Sequence, residues 1–370
     1  VFNCFRCHMA VTRRGAKLAG PTPDEVRELE RVEARAMEKD LRLFTRRAWP
    51  VLERDVRFVD NWHVAAICEH LQAVTRGEIA NLLINVPPGC MKSMLVCVMW
   101  FCWVWAKAPA TRWMFGTYSY DFSLRDSRKC RDVLSSEWYQ SRWPVEFQDD
   151  MNQVGKFGSL QGGWRLAVST NGKGTGEHPD YLGIDDPHNV QKVESDAERK
   201  ASVDWVSSIV ATRGVTRGVK RVMVMQRLHA KDASDWALGT GEWEHLCLPM
   251  RYEPPARVET GGVARWVPRM RPTKLGFQDP RTSPGELLWP ALWTADKVAT
   301  AEANLGLYRA AGQMQQRPTP RGGGMFKRDW FPVLAALPQV TRWVRYWDKA
   351  GTEGGTGAET ASVLVGEYRD

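Results

Sequence analysis

The stretch Leu82-Leu83-Ile84-Asn85-Val86-Pro87-Pro88-Gly89-Cys90-Met91-Lys92-Ser93 constrains this chain more than any other. An apolar strand runs into a tight Pro-Pro-Gly turn, and Lys-Ser then opens a second apolar segment, Met94 to Ala106. A strand that breaks into a loop ending Lys-Ser at a helix start is how proteins cradle phosphate. Backbone N–H groups and the helix dipole face the anion, the lysine reaches the β/γ-phosphates, and the serine hydroxyl holds Mg²⁺. This reading makes Pro88, Gly89, Cys90, Met91, Lys92, Ser93 and Met94 the candidate ATP-binding residues, with Ser93 also a metal ligand. The spacing G-x-x-x-x-G-K-[ST] is departed from twice, with Val86 at the first glycine and Met91 at the second.

At 370 residues and 43% hydrophobic content, the chain is long enough for two or more globular domains. A formal net charge of +8 favours a polyanionic partner, although an excess of this size also suits a solvated surface. The longest apolar run, Met94 to Ala106, has 13 residues, too few to span a bilayer, so a buried helix is expected and no membrane partner. No N-terminal stretch has the form of a signal peptide. Scattered cysteines, two of them (Cys97, Cys102) inside the apolar run, suit reduced thiols. Cys4-Phe5-Arg6-Cys7-His8 matches a haem-attachment pattern without an axial-ligand context. The first methionine is Met9, and the alternative is that residues 1–8 precede the natural start.

Pro23 to Arg47 is charge-rich, with Val26, Leu29, Val32, Ala36, Leu41 and Leu43 at helical spacing, which predicts an amphipathic helix covering a domain or a neighbouring subunit. Asp60-Asn61-Trp62-His63 precedes a second amphipathic segment that leads through Gly77 into the phosphate-loop strand. Trp62 and His63 have two readings, as nucleotide contacts upstream of the loop or as core aromatics. Strands are expected at Thr111–Thr117, from Leu166 to Ser169, and from Gly218 to Met225. A polar helix after Tyr118 carries Arg125, Arg128, Lys129 and Arg131, a basic face for DNA or a neighbouring subunit's nucleotide, or for solvent.

Tyr181-Leu182-Gly183-Ile184-Asp185-Asp186-Pro187 is a short apolar strand ending in two adjacent carboxylates, roughly 90 residues past the phosphate loop. At such a strand end one acid holds Mg²⁺ and the other orients and deprotonates the attacking water. Adjacent strand residues face opposite ways, so Asp185 is expected at the metal and Asp186 at the water. Gln226, closing the strand before Arg227-Leu228-His229, is placed to sense the γ-phosphate, and Arg213 and Arg227 are the two candidates for an arginine stabilising transition-state charge. From Trp243 to about Pro320 proline, glycine and arginine interrupt the alternation, so a second subdomain is expected, closed by a hinge from Arg317 to Gly324. A final hairpin then opens with Trp343 to Asp348 and returns from Ala361 to Tyr368, with Asp348 placed like the first carboxylate of a two-metal nuclease.

In this order and spacing the motifs resemble the large terminase subunit of tailed bacteriophages, an ATP-driven DNA-packaging motor and nuclease. They are Pro87-Pro88-Gly89 before Lys92-Ser93, Asp185-Asp186-Pro187, Thr212-Arg213 ahead of Gln226-Arg227-Leu228-His229, Gly285-Glu286-Leu287-Leu288-Trp289-Pro290, Gln315-Gln316-Arg317-Pro318 with Gly322 to Phe326, and Trp347-Asp348-Lys349-Ala350. The resemblance implies an α/β chain: a RecA-like P-loop ATPase of the additional-strand class with a mainly parallel sheet, a linker subdomain, and the start of an RNase H-like nuclease domain. The corresponding boundaries are an N-terminal tail and amphipathic helix over 1–50, the ATPase over 51–240, the linker over 241–325 and the nuclease start over 326–370. It further implies ATP with Mg²⁺ at the ATPase and Mg²⁺ or Mn²⁺ at Asp348. The implied partners are double-stranded DNA, a portal protein and a small terminase subunit, in a homo-oligomeric ring. The implied place is the host cytoplasm, transiently on the procapsid.

Two other classes stay open on the residues alone: a P-loop translocase or helicase without nuclease function, and a non-catalytic nucleotide- or DNA-binding scaffold. Asp348 is a single carboxylate, and two metal ions need several. This 370-residue chain is therefore expected not to cut DNA; metal-dependent linearisation of plasmid in Mn²⁺ would contradict that.

Overall fold

The computed structural model describes residues 22–170, 172, 176–213, 218–260, 263–267, 271–319, 339–348 and 361–368. Contacts divide the chain into two compact units, Val1–Pro320 and Arg321–Asp370. In the larger unit the strands are β1 (Asn81–Asn85), β2 (Arg112–Thr117), β3 (Phe147–Asn152), β4 (Lys156–Ser159), β5 (Trp164–Ser169), β6 (Tyr181–Asp185), β7 (Lys220–Met225) and β8 (Glu244–Cys247). They form one eight-stranded sheet in the order β3-β4-β5-β2-β6-β7-β1-β8. Every neighbouring pair from β5 to β8 is parallel, and at the far edge β4 alone runs against the others, antiparallel to both β5 and β3. One strand, β7, lies between the phosphate-loop strand β1 and the carboxylate strand β6. A mainly parallel sheet in this order is consistent with the RecA-like arrangement that the resemblance implies.

Side chains alternate across the central strands, as a sheet covered on both faces requires. Leu82 and Ile84 of β1, Val222 and Val224 of β7, and Trp113 and Phe115 of β2 join one core. Leu83, Met223, Met225 and Met114 join the other. The first face carries α2 (Leu41–Leu52), α3 (Trp62–Arg76) and α5 (Tyr120–Ser135), and the second is covered by α7 (Asp196–Thr212) and α8 (Ala233–Gly239). Helix α3 ends at Gly77, whose φ of 84° is the left-handed C-cap that turns the chain toward β1. Several tryptophans serve packing: Trp113 stacks on Tyr181 at 4.0 Å between ring centroids, with Trp100 edge-on to both.

Three local departures from expectation have physical causes. The predicted N-terminal helix is two, α1 (Pro23–Met37) and α2, because Asp40 caps a new start by accepting from the Leu43 N–H at 3.0 Å. Along α1 the apolar Val26, Leu29 and Val32 are exposed, and burial begins only at Ala34. The buried segment after the phosphate loop opens with a π-helical turn, Met94–Met99, before α4 (Trp100–Trp105). Such turns insert one extra residue per turn and are frequent at functional sites, but no residue pattern announces them. The sheet also runs past residue 240, since β8 pairs with β1; its Glu-His-Leu-Cys sequence carries no strand periodicity to read.

Beyond β8 lie β9 (Ala256–Thr260), β10 (Val263–Val267) and α9 (Ala295–Gln313). The smaller unit contains an antiparallel pair, β11 (Val340–Asp348) and β12 (Ala361–Tyr368), in register from Arg342 opposite Glu367 to Asp348 opposite Ala361, with a register shift between Val340 and Arg342. The Asp348 side chain, the Cys4-Cys7-His8 motif and the motif from Gly322 to Phe326 lie outside the described residues. Among those described, no helix is long and apolar enough to cross a membrane.

Gly183 of β6 lies flat against Phe115, where an added Cβ would sit 2.5 Å from a ring carbon. Gly183→Ala is expected to lower unfolding free energy by about 1–3 kcal/mol through overpacking, measured by chemical denaturation.

Candidate active site

Parallel strands that share one direction end on one edge, and that edge is where the loops carrying chemistry gather. The phosphate loop leaves β1 there, Asp185 and Asp186 close β6, and Gln226 follows β7. A cleft of about 410 Å³ opens between them, in the size range of small-molecule sites. Gly89, Met91, Lys92, Ser93, Met94, Asp185, Asp186 and Gln226 line it, so most of the candidate residues converge.

The loop adopts the backbone that its missing glycine would take. Met91 has φ of 62°, a left-handed conformation that costs an L-residue with a Cβ roughly 1–2 kcal/mol. Gly89 has φ of 73°, and a Cβ there would lie 3.1 Å from the Trp293 ring. The other departure, Val86, is fully buried and continues the sheet, its N–H donating to the Met225 carbonyl at 3.3 Å. Pro88 and Cys90 do not line the cleft; Cys90 is buried, its thiol pushed up to about 12 by that burial.

Lys92 is 8% exposed, and its Nζ lies 2.9 Å from Asp186 Oδ2. Burial by itself would lower the ammonium's pKa; the charges of Asp186 and Asp185 and the hydrogen bond to Asp186 overcome it and hold the group above its ordinary range. Asp186 also accepts from the Gln226 backbone N–H at 3.2 Å, and its own φ of 41° turns the chain sharply out of β6. Asp185 faces inward. Burial first, and then the Asp186 charge, push its carboxyl up to about 7, against the pull of Lys92 and a hydrogen bond with Ser93. Its Oδ1 has no hydrogen-bond partner, and neither does the buried Oε1 of Gln226. A buried carboxylate oxygen without a partner beside a serine hydroxyl suits a hard divalent cation, so Ser93 and Asp185 fit Mg²⁺.

Four more candidates do not line the cleft. His63 is fully buried, its ring packed on Trp289 at 4.8 Å and its Nδ1 2.6 Å from Asn61 Nδ2. It is a core histidine, and Asn61 Nδ2 also donates to the Leu288 carbonyl, which joins α3 to the Gly285–Pro290 motif. Trp62 stacks on Phe277 with the Arg281 guanidinium over its ring, outside the cleft lining. Arg227 is buried, and its Nε donates to both Asp232 oxygens at 3.0 Å, so it holds a turn and does not reach the cleft. The Arg227 N–H donates to Gln316 Oε1, linking the residue after Gln226 to the Gln315–Pro318 motif. Arg213 caps α7 and its Nη1 donates to the Glu177 carbonyl at 3.4 Å, again away from the cleft lining.

In place of those arginines the cleft receives Arg125 and Lys129 of α5, with Tyr118, Phe122, Asp126 and His188. The basic character of α5 was visible in sequence, but which of its faces meets the sheet was not. Asp126, on the same helix, has no motif around it.

No family model matches the chain, and no curated protein sequence does. Among solved structures it is similar to the large terminase of bacteriophage HK97, with 13% identity, TM-score 0.42, and coverage of 58% of this chain and 44% of that one. A large terminase from a thermophilic bacteriophage in complex with ADP has 10% identity and TM-score 0.38, over 88% of this chain and 65% of that one. A Thermus phage large terminase ATPase domain has 11% identity and TM-score 0.32, over 54% and 76%. All three are large terminases. The chain spans less than half the length of the HK97 structure.

Burial pushes the imidazoles of His63 and His245 down to about 4, so both are neutral in the fold at pH 7. Below the ordinary value of 6.5 the unfolded chain takes up protons that the fold refuses until near pH 4. Their contribution is therefore complete above 6.5 and lost as pH falls. Relative to His245→Gln, the wild type is expected to lose up to ~1.4 kcal/mol per pH unit between 6.5 and 4, read from urea unfolding at a series of pH values.

Proposed function

We propose that this chain is an ATP-hydrolysing DNA-packaging subunit of a tailed bacteriophage, a large terminase. The observation that carries the ATPase part is the convergence of Lys92, Ser93, Asp185, Asp186 and Gln226 on one cleft at the ends of parallel strands, with one strand between loop and carboxylates. The ordered motifs from Pro87 to Ala350 support the packaging part.

In this reading the N–H groups after Gly89 and the Lys92 ammonium receive the β- and γ-phosphates. Ser93 and Asp185 hold Mg²⁺, which when bound neutralises charge on the phosphate oxygens. The same Lys92 Nζ lies 2.9 Å from Asp186 Oδ2. When Lys92 turns to phosphate, Asp186 is left with an uncompensated charge at the position where an attacking water is oriented and loses its proton. Gln226 shares a hydrogen bond with Asp186 and precedes Arg227, which is tied to Gln316, so the γ-phosphate state has a route into the 241–320 segment.

The partners of the reading are double-stranded DNA, a portal protein and a small terminase subunit, with the chain acting in a ring on the procapsid in the host cytoplasm. Asp348 is its nuclease residue, taking Mg²⁺ or Mn²⁺ with carboxylates from other strands.

ATP hydrolysis by wild type, Lys92→Ala and Asp186→Asn tests the ATPase reading. Lys92→Ala is expected to lose nucleotide binding. Asp186→Asn is expected to bind ADP within a few-fold of wild type while kcat falls about 10²–10⁴-fold. Equal rates above background for wild type and Lys92→Ala would reject an enzyme of this kind.

A further inference from the structure

The inner wall of the cleft holds a second acid. Asp126 of α5 is 3% exposed and lines the same cleft as Ser93 and Asp185. A carboxylate oxygen of Asp126, one of Asp185 and the Cys97 sulfur all lie within 4.8 Å of one another. Asp126 Oδ1 accepts from Arg125 at 2.9 Å, but Asp126 Oδ2 has no hydrogen-bond partner, and neither has Asp185 Oδ1. Two buried carboxylates, each with an oxygen unsatisfied, repel one another unless a cation or a shared hydrogen-bond donor lies between them.

Among the nearby cations Arg125 meets Asp126 through Oδ1 alone, Lys92 pairs with Asp186, and Lys129 lies 3.6 Å from Glu53. The buried Arg165 donates to the Cys97 carbonyl and lies over the Phe115 ring, while its Nε and Nη1 have no hydrogen-bond partner. We propose that Asp126 is a positioning residue for the nucleotide-bound Mg²⁺, which it would help Asp185 to hold. This rests on the ATPase reading above. Oxygens on one Mg²⁺ stand about 2.0–2.1 Å from it, so two of them are no more than about 4.2 Å apart. The Asp126 and Asp185 oxygens lie within 4.8 Å of one another, a span that a water on the metal bridges, and Asp126 acts on the ion through that water. Cys97 is excluded as a ligand for this ion, because thiolates select softer metals.

Mn²⁺ replaces Mg²⁺ as a spin-active probe. Its affinity for the ADP-loaded chain is read by electron paramagnetic resonance, and ADP affinity in EDTA is measured alongside. Asp126→Asn is expected to bind ADP in EDTA within twofold of wild type but Mn²⁺ about 10- to 100-fold more weakly, the loss typical of an outer-shell partner. Asp126→Glu is expected to recover part of it. Wild-type Mn²⁺ affinity in a folded Asp126→Asn overturns the proposal while leaving the ATPase reading intact. Failure of the wild type to bind ADP overturns both. If the variants do not fold, the wild-type complex with Mn²⁺ and ADP decides by its anomalous signal. A water on Mn²⁺ within hydrogen-bond distance of Asp126 supports the role, and a Mn²⁺ with no such water overturns it.

Discussion

The parallel ladder joining β6, β7 and β1 is the constraint on which the candidate site depends. Asp185 pairs with Val224 on one side and Thr117 on the other, while Asn85 pairs with Met225. Hydrogen bonding in register along three strands fixes where each one ends, and so fixes the loop, the carboxylates and Gln226 within one cleft. The ends are themselves braced. Asn85 Nδ2 donates to the Met225 carbonyl and to Ser234 Oγ, and Asn85 Oδ1 accepts from His245 of β8. Asp232 gathers the N–H groups of Leu228 and Asp235 with the Arg227 guanidinium, which anchors the turn directly after Gln226.

Electrostatics within this edge are unbalanced by design of the fold. Apolar side chains exclude water beneath β6, so the Asp185 carboxylate is costly to keep charged without a cation. Lys92 answers that charge only in part, because its Nζ is committed to Asp186. The resulting site combines a strained loop, a latched lysine and buried oxygens without partners, each an arrangement that a bound polyphosphate and metal would relieve. Strain and unsatisfied polar atoms of this kind persist only where the surrounding core is strong enough to hold them. The aromatic packing of Trp100, Trp113 and Tyr181 and the methionines on the other face provide that strength.

Much of the central fold was legible because each central strand is an apolar run ending in polar residues, and the strands were read close to where they lie. The phosphate loop, the carboxylate pair and Gln226 were legible for the same reason, since a strand end is a position that sequence can mark. Side chains whose roles depend on what packs against them were not legible. Trp62 and His63 looked equally like base contacts and core aromatics until Phe277 and Trp289 were seen against them. Arg227 read as a catalytic candidate because nothing in sequence shows that Asp232, five residues on, turns back to bind it. Nothing in the sequence separates Asp126 from the other two acids of α5, because which of them is buried follows from the helix's rotation on the sheet.

The sequence by itself determined the central strands and the loops that follow them, the residues able to bind phosphate and metal, and the resemblance to DNA-packaging ATPases, because these depend on local pattern and chemical type. Only the tertiary structure decided which cations face the cleft, which carboxylates are stripped of water, and that Met91 takes a glycine's backbone conformation. Those properties arise from contacts between segments far apart in the chain, where burial and rotation select one side chain over its chemically identical neighbours.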